Sequence, residues 1–151
     1  MKHFKLGKEF LKEGHFELAE YEFKKGSKLD PDNYILHKKV GNIYASHGEY
    51  EKAIIWYQKA LDIKSDDPNV YNNLADCYKT KGKYDEAVAL INKAIEINPE
   101  VGWYYITLAE IYLKLGKQDK VFESLKKAEK YAQTPYEKDA INKMKRELIS
   151  E

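Results

Sequence analysis

The residues of this chain that could do chemistry are four histidines, one cysteine and a scatter of carboxylates, and their spacing argues against a reaction centre. His3, His15, His37 and His47 form no His-Glu-x-x-His pair, so two imidazoles are not set one helical turn apart for a zinc ion. Cys77 is the single cysteine, which excludes an intramolecular disulfide and any multi-cysteine metal site. It reads as a small buried hydrophobe, and His3 and His37 read as packing residues. The glycines stand alone rather than in a phosphate-cradling loop. Glu49, Glu51, Asp85 and Glu86 fall at turns and helix starts, where a negative charge suits the helix dipole. The expectation is a protein without catalytic residues, metal or cofactor, and not an enzyme.

What must position these residues is a repeat. Gly14, Gly48, Gly82 and Gly116 recur every 34 residues. Five residues after each come Ala19, Ala53, Ala87 and Val121; seven before come Gly7, Gly41, Ala75 and Ala109; four before come Phe10, Tyr44, Tyr78 and Tyr112. Within one unit, Val40, Ile43 and Tyr44 recur at helical spacing, as do Ala53, Tyr57, Ala60 and Leu61. Each unit is therefore two helices around a glycine-ended turn, closed by Pro31, Pro68 or Pro99 where a helix cannot continue. First helices are predicted near 2–13, 34–47, 68–81 and 102–115, and second helices near 17–29, 51–63, 85–97 and 119–132. Small residues such as Gly41 and Ala53 are predicted where the two helices cross closely.

Thr134-Pro135 begins a further helix over 136–150 with Tyr136, Ala140, Ile141, Met144 and Leu148 on one face and lysines and glutamates on the other. Such a helix caps the end of an array, whereas residues 1–13 must cap the other end themselves, with Lys2, Lys5, Lys8 and Lys12 supplying polarity.

These columns resemble the tetratricopeptide-repeat (TPR) pattern W-x2-L-G-x2-Y…A-x3-F…P. The chain reads His3-x2-Leu6-Gly7-x2-Phe10, His37-x2-Val40-Gly41-x2-Tyr44, Tyr71-x2-Leu74-Ala75-x2-Tyr78 and Tyr105-x2-Leu108-Ala109-x2-Tyr112. The second halves read Ala19-x3-Phe23, Ala53-x3-Tyr57, Ala87-x3-Ile91 and Val121-x3-Leu125. Two departures are the missing tryptophan of the first column and Ser65 in the proline column. The resemblance covers about residues 1–135. It implies an all-α fold, a right-handed superhelical solenoid of antiparallel helix pairs, as a single domain over 1–151. Its repeats are about 1–33, 34–67, 68–101 and 102–135, with the capping helix at 136–150.

The resemblance also implies a non-catalytic scaffold or adaptor whose first helices line a concave groove for a polypeptide. On those helices the exposed columns hold Lys5, Lys8, Lys38, Lys39, Asn42, Asn69, Asn72, Asn73, Asp76, Trp103, Ile106 and Thr107. Asparagine is a mediocre helix former, and its amide has both acceptor and donors for a ligand's backbone, so the cluster is read as peptide-holding, with solvated filler as the alternative. The groove runs from basic through amide-rich to apolar, which suits an acidic, extended segment. Some TPR co-chaperones clamp the terminal carboxylates of chaperone tails. Lys38, Asn42 and Asn73 match that clamp, but Trp103 and Thr107 stand where two cations belong. A co-chaperone-like clamp and a self-associating homo-oligomer are the alternative functions.

Composition narrows the partners further. The 151 residues are 43% hydrophobic and 34% charged, enough apolar material for a folded core. Lysine plus arginine number 26 against 25 acidic residues, a balance that argues against a polyanion binder, so no nucleic-acid partner is expected. No segment has the roughly 20 apolar residues that span a bilayer. The start Met1-Lys2-His3-Phe4-Lys5 has no following apolar run, so neither membrane nor leader is expected and the predicted location is cytoplasmic.

Overall fold

The computed structural model describes residues 2–149, and among them nine α-helices follow one another with short turns. The four predicted pairs are α1 (Lys2–Lys12) with α2 (Phe16–Leu29), α3 (Tyr34–Ser46) with α4 (Tyr50–Ile63), α5 (Pro68–Thr80) with α6 (Tyr84–Ile97), and α7 (Gly102–Lys114) with α8 (Gln118–Tyr131). A ninth helix, α9, spans Pro135–Ile149. Each helix packs on its partner within the unit, and each second helix packs on the next unit's first helix. The architecture is an all-α helical repeat.

The turns within each pair are set by one backbone requirement. Gly14, Gly48, Gly82 and Gly116 have φ of 77°, 75°, 75° and 68°, the left-handed region that side-chain-bearing residues avoid. At each turn the glycine N–H returns to the carbonyl three residues back and the next N–H to the one five back, as in Gly48 to Ala45 (3.1 Å) and Glu49 to Tyr44 (2.9 Å). These bonds satisfy the last carbonyls of the first helix and aim the chain back along it.

Crossing distance is set elsewhere. A Cβ added at Gly7 would lie 2.5 Å from the Phe23 ring, and one at Gly41 would lie 2.7 Å from Tyr57. The equivalent pairs in the later units are Ala75 with Ile91 and Ala109 with Leu125, at the same sequence offset. Where the first helix gives up its methyl the second supplies a ring, and where it keeps the methyl the second supplies an aliphatic chain. Volume across the crossing is thus nearly conserved, which close packing demands. All of Phe23, Tyr57, Ile91 and Leu125 are buried.

Both ends depart from the repeat. Leu36, Val40 and Ile43 of α3 bury against the preceding unit, as do Val70, Leu74 and Cys77 of α5 and Tyr104, Leu108 and Ile111 of α7. In α1 the same columns hold Lys2, Leu6 and Glu9, and both charged residues are exposed. The outer face of α1 is thus made polar by Lys2 and Glu9 in core columns, more than by the lysines at 5, 8 and 12. At the far end, Thr134 and Glu137 form a reciprocal cap: the Glu137 N–H donates to Thr134 Oγ1 (3.2 Å) and the Thr134 N–H to Glu137 Oε2 (2.9 Å). Helix α9 then seats Ile141 and Met144 on α7 and α8.

Gly7→Ala should destabilise the protein despite alanine's higher helix propensity, because overpacking costs about 1–3 kcal/mol against a gain of about 1 kcal/mol. Combined with Phe23→Leu, the same alanine should cost nothing or stabilise. A urea-denaturation double-mutant cycle should give a favourable coupling of about 1 kcal/mol or more; additive effects would show that the crossing is not set by this pair.

Candidate peptide-binding groove

The twelve groove positions divide sharply once their partners are seen. Lys5 and Lys8 are exposed on α1, with the Lys8 ammonium 5.6 Å from the Phe4 ring centroid. Lys39 is half-buried and has no ion-pair partner among the described residues. Lys38 is committed: its Nζ lies 2.7 Å from Asp67 Oδ2 in the next unit. Asp67 is buried and caps α5, accepting from the Asn69 N–H at 3.0 Å and the Val70 N–H at 3.4 Å. Lys38 is thus a strut between units two and three.

The asparagines are likewise partnered from within. Asn42 Oδ1 accepts from the Tyr57 hydroxyl at 2.8 Å and from Asn73 Nδ2 at 3.1 Å. Asn69 Oδ1 accepts from the Tyr104 hydroxyl at 3.0 Å. Asn72 is buried, with its Oδ1 3.4 Å from the Thr107 hydroxyl. Each of these contacts except Tyr57–Asn42 joins one repeat to the next. The expected peptide-holding amides are inter-repeat hydrogen bonds, although Asn42, Asn69 and Asn73 keep surface and further polar atoms.

Three expected groove residues do not reach a ligand. Ile106 and Thr107 are 0% and 1% exposed, and Asn72 is 6% exposed. For Ile106 the reason is the helix that follows, since α9 packs on α7 and draws it into one cluster with Ile141 and Met144, whereas Thr107 and Asn72 meet each other between α7 and α5. The apolar ledge expected from Trp103 and Ile106 therefore reduces to Trp103, whose ring stacks on Tyr136 at 5.6 Å and 28°.

Lys79 and Glu110 also stand on exposed columns of the first helices, and they too are committed to each other. Lys79 Nζ lies 2.8 Å from Asp76 and 2.5 Å from Glu110, a three-charge bridge from α5 to α7. Its signal was a lysine and a glutamate 31 residues apart on successive first helices, which only the packed array brings together. The middle of the groove is a hollow of about 430 Å³ lined by Asn42, Tyr57, Asn73 and Asp76. Towards α9 it opens into a cleft of about 920 Å³ bounded by α5, α7 and α9, with Trp103 and Tyr136 on its wall.

Three further candidates for chemistry, Cys77, His37 and His3, are held by burial or by hydrogen bonds. Burial, with Asp76 nearby, pushes the Cys77 thiol up to about 11, far from a reactive thiolate. His37 is buried, donates from Nε2 to the Pro31 carbonyl at 2.8 Å and stacks on Trp56. His3 Nδ1 lies 2.5 Å from Glu22 Oε2. Among the described residues no group of three or more His, Cys, Asp or Glu side chains could hold a metal. No helix among them is long and apolar enough to cross a membrane.

Paired helices around left-handed glycines and a repeat of 34 define a helical-repeat solenoid. The sequence matches the TPR repeat over residues 41–82 and the tetratricopeptide repeat over 68–101 and again over 104–135. The chain belongs to the tetratricopeptide-repeat family. No curated protein matches it. Among solved structures it is similar to a crystal structure of MamA, at 24% identity and a TM-score of 0.80, over 84% of this chain and 74% of that one. A second MamA crystal structure matches at 25% identity and a TM-score of 0.79, over 83% and 69% of the two chains. MamA 41-end from Desulfovibrio magneticus RS-1 matches at 18% identity and 0.80, over 85% and 73%.

The Lys38–Asp67 pair makes stability pH-dependent with a definite sign. Burial pushes the Asp67 carboxyl upward, but the Lys38 ammonium and the two backbone amides outweigh it and hold it below its ordinary value. A carboxyl depressed by folding stabilises above the unfolded value of about 4 and loses that contribution as pH falls through the folded one. Asp67→Asn should therefore be clearly less stable than the wild type at pH 7. The gap should close below about pH 4 in urea denaturation; a gap independent of pH would show that the charge pair contributes nothing.

Proposed function

We propose that the chain is a scaffold whose first-helix groove binds an acidic, extended polypeptide segment. The observation that carries this reading is charge without a partner. Lys5, Lys8 and Lys12 project from one face of α1, exposed, and Lys39 continues them on α3; none has an ion-pair partner among the described residues. Lys38 and Lys79, by contrast, are neutralised from within, so the unpaired lysines of α1 and Lys39 are the charge that an approaching ligand meets. Asn42, Asn69 and Asn73 lie further along, with amide donors left over for a peptide backbone. A terminal-carboxylate clamp is disfavoured, because Lys38 would have to leave buried Asp67 and because Trp103 and Thr107 supply no cation.

Self-association is the second reading, and exposed apolar residues on the second helices support it. Leu18, Tyr21 and Ile55 are 48%, 59% and 55% exposed, on the faces of α2 and α4 away from their partners. Polar Lys2 and Glu9 disfavour stacking through the end beside α1. Light scattering across a concentration series separates this reading from the first: a constant monomer mass removes it.

Selection of 15-residue peptides from a random display library on the immobilised protein tests the groove. Acidic sequences should dominate. The double variant Lys5→Glu/Lys8→Glu should weaken the selected peptides by about tenfold at low salt, and by less at high salt, where screening shortens electrostatic reach to a few ångströms. Enrichment of neutral or basic sequences, or no enrichment, would defeat the groove reading.

A further inference from the structure

The capping helix does more than close the core, because it also builds the far wall of the cleft beside Trp103. Trp103 and Leu113 of α7 and Tyr136 and Met144 of α9 bring apolar surface to this cleft of about 920 Å³. That is the scale of a site for several ligand atoms groups rather than one methyl, and the mid-groove hollow is less than half as large. Tyr136 is 70% exposed although its ring is stacked, so an aromatic face stands at the opening.

Charge decides what fits. Lys79, at the inner edge, is already held by Asp76 and Glu110. Lys114 of α7 and Lys143 and Arg146 of α9 also line the cleft, are exposed and have no ion-pair partner among the described residues. Asp139 and Glu147 line it too, leaving these three cations against two carboxylates, of which Glu147 has a partner of its own. An apolar floor with a cationic rim suits a bulky apolar side chain flanked by carboxylates, not an apolar surface alone.

We infer that this cleft is the anchor subsite of the groove, taking an aromatic side chain from an acidic segment of the bound polypeptide. The inference rests on the groove reading and deepens it: α1 and α3 supply long-range attraction at one end, and α7 with α9 supplies apolar contact at the other. Buried aromatic anchors carry a disproportionate share of binding energy in such interfaces. Stacking of a third ring on the Trp103–Tyr136 pair is the interaction available to it.

The two ends can be tested apart because a short peptide cannot reach both. Successive first helices lie about 10 Å apart, so α1 and α9 are separated by roughly 40 Å, whereas an extended heptapeptide spans about 24 Å. The probe is a fluorescein-labelled, amidated heptapeptide with a central tryptophan and three glutamates on each side, titrated by anisotropy. It should bind saturably, and replacing its tryptophan with glycine should weaken it by about tenfold or more. Lys143→Glu/Arg146→Glu should weaken it by about tenfold at low salt and less at high salt. Tyr136→Ala, at a largely exposed position, should weaken it at both. Lys5→Glu/Lys8→Glu should leave it unchanged within about twofold, being beyond its reach. Indifference to Lys143→Glu/Arg146→Glu, or equal binding of a labelled heptauridylate, would overturn the subsite. If the selected 15-residue peptides bind and depend on Lys5 and Lys8 while the heptapeptide does not bind, the groove reading stands and the subsite falls. If neither binds, both fall.

Discussion

Two helices can cross at short range only if the atoms between them fit, and in this chain that fit is made by one residue pair per unit. Gly7 meets Phe23, Gly41 meets Tyr57, and at the equivalent places Ala75 and Ala109 stand with Ile91 and Leu125. The pair fixes how deeply the second helix sits, and so where its far side meets the next unit. Gly26 shows the consequence, since an added Cβ there would come within 3.1 Å of Leu36 and 3.3 Å of His3. An error at one crossing is passed to the neighbouring interface, because a packed solenoid has few other contacts to absorb it.

Polar contacts add register to that packing. An apolar interface between helices tolerates small slips, whereas Lys38 on Asp67, Asn73 on Asn42 and Lys79 on Glu110 each require one relative position of two successive first helices. These bonds lie along the groove, so the surface proposed for a ligand is also the surface that holds adjacent units in line. Such bonds restrain the middle of the groove, and a restrained surface would lose less entropy on association. The same commitment removes the middle from strong charge recognition. What remains free lies at the ends.

The fold was almost wholly legible in the sequence because its determinants are local and recur. The 34-residue period, the glycines at the turns and the proline stops each act within a few residues of where they stand, and the helix ends fall within a few residues of the positions they predict. The groove was legible only as columns. A column says which way a residue points from its own helix but not what the next helix brings up to it. Lys38 looked free because its partner Asp67 is 29 residues away. Ile106 and Thr107 occupy groove columns by number, yet are buried because α9 and α5 close over them, a consequence of packing that no single repeat records.

That last difference explains why the two ends of the array are not equivalent. Helix α1 carries Lys2 and Glu9 in columns that are apolar elsewhere, so its outer face is polar. At α7 the apolar layer is instead covered by a helix, since Ile106, Leu125 and Ala128 form a cluster that is closed by Ile141 and Met144. A helix recruited to cover a core must still show another face to water, and α9 puts Lys143 and Arg146 there, beside the groove. The physical need to cap an apolar layer thus brings cations to the rim of an apolar cleft. Tyr136 belongs to both roles, stacked against Trp103 as part of the docking of α9 and exposed on its outer side at the mouth of that cleft.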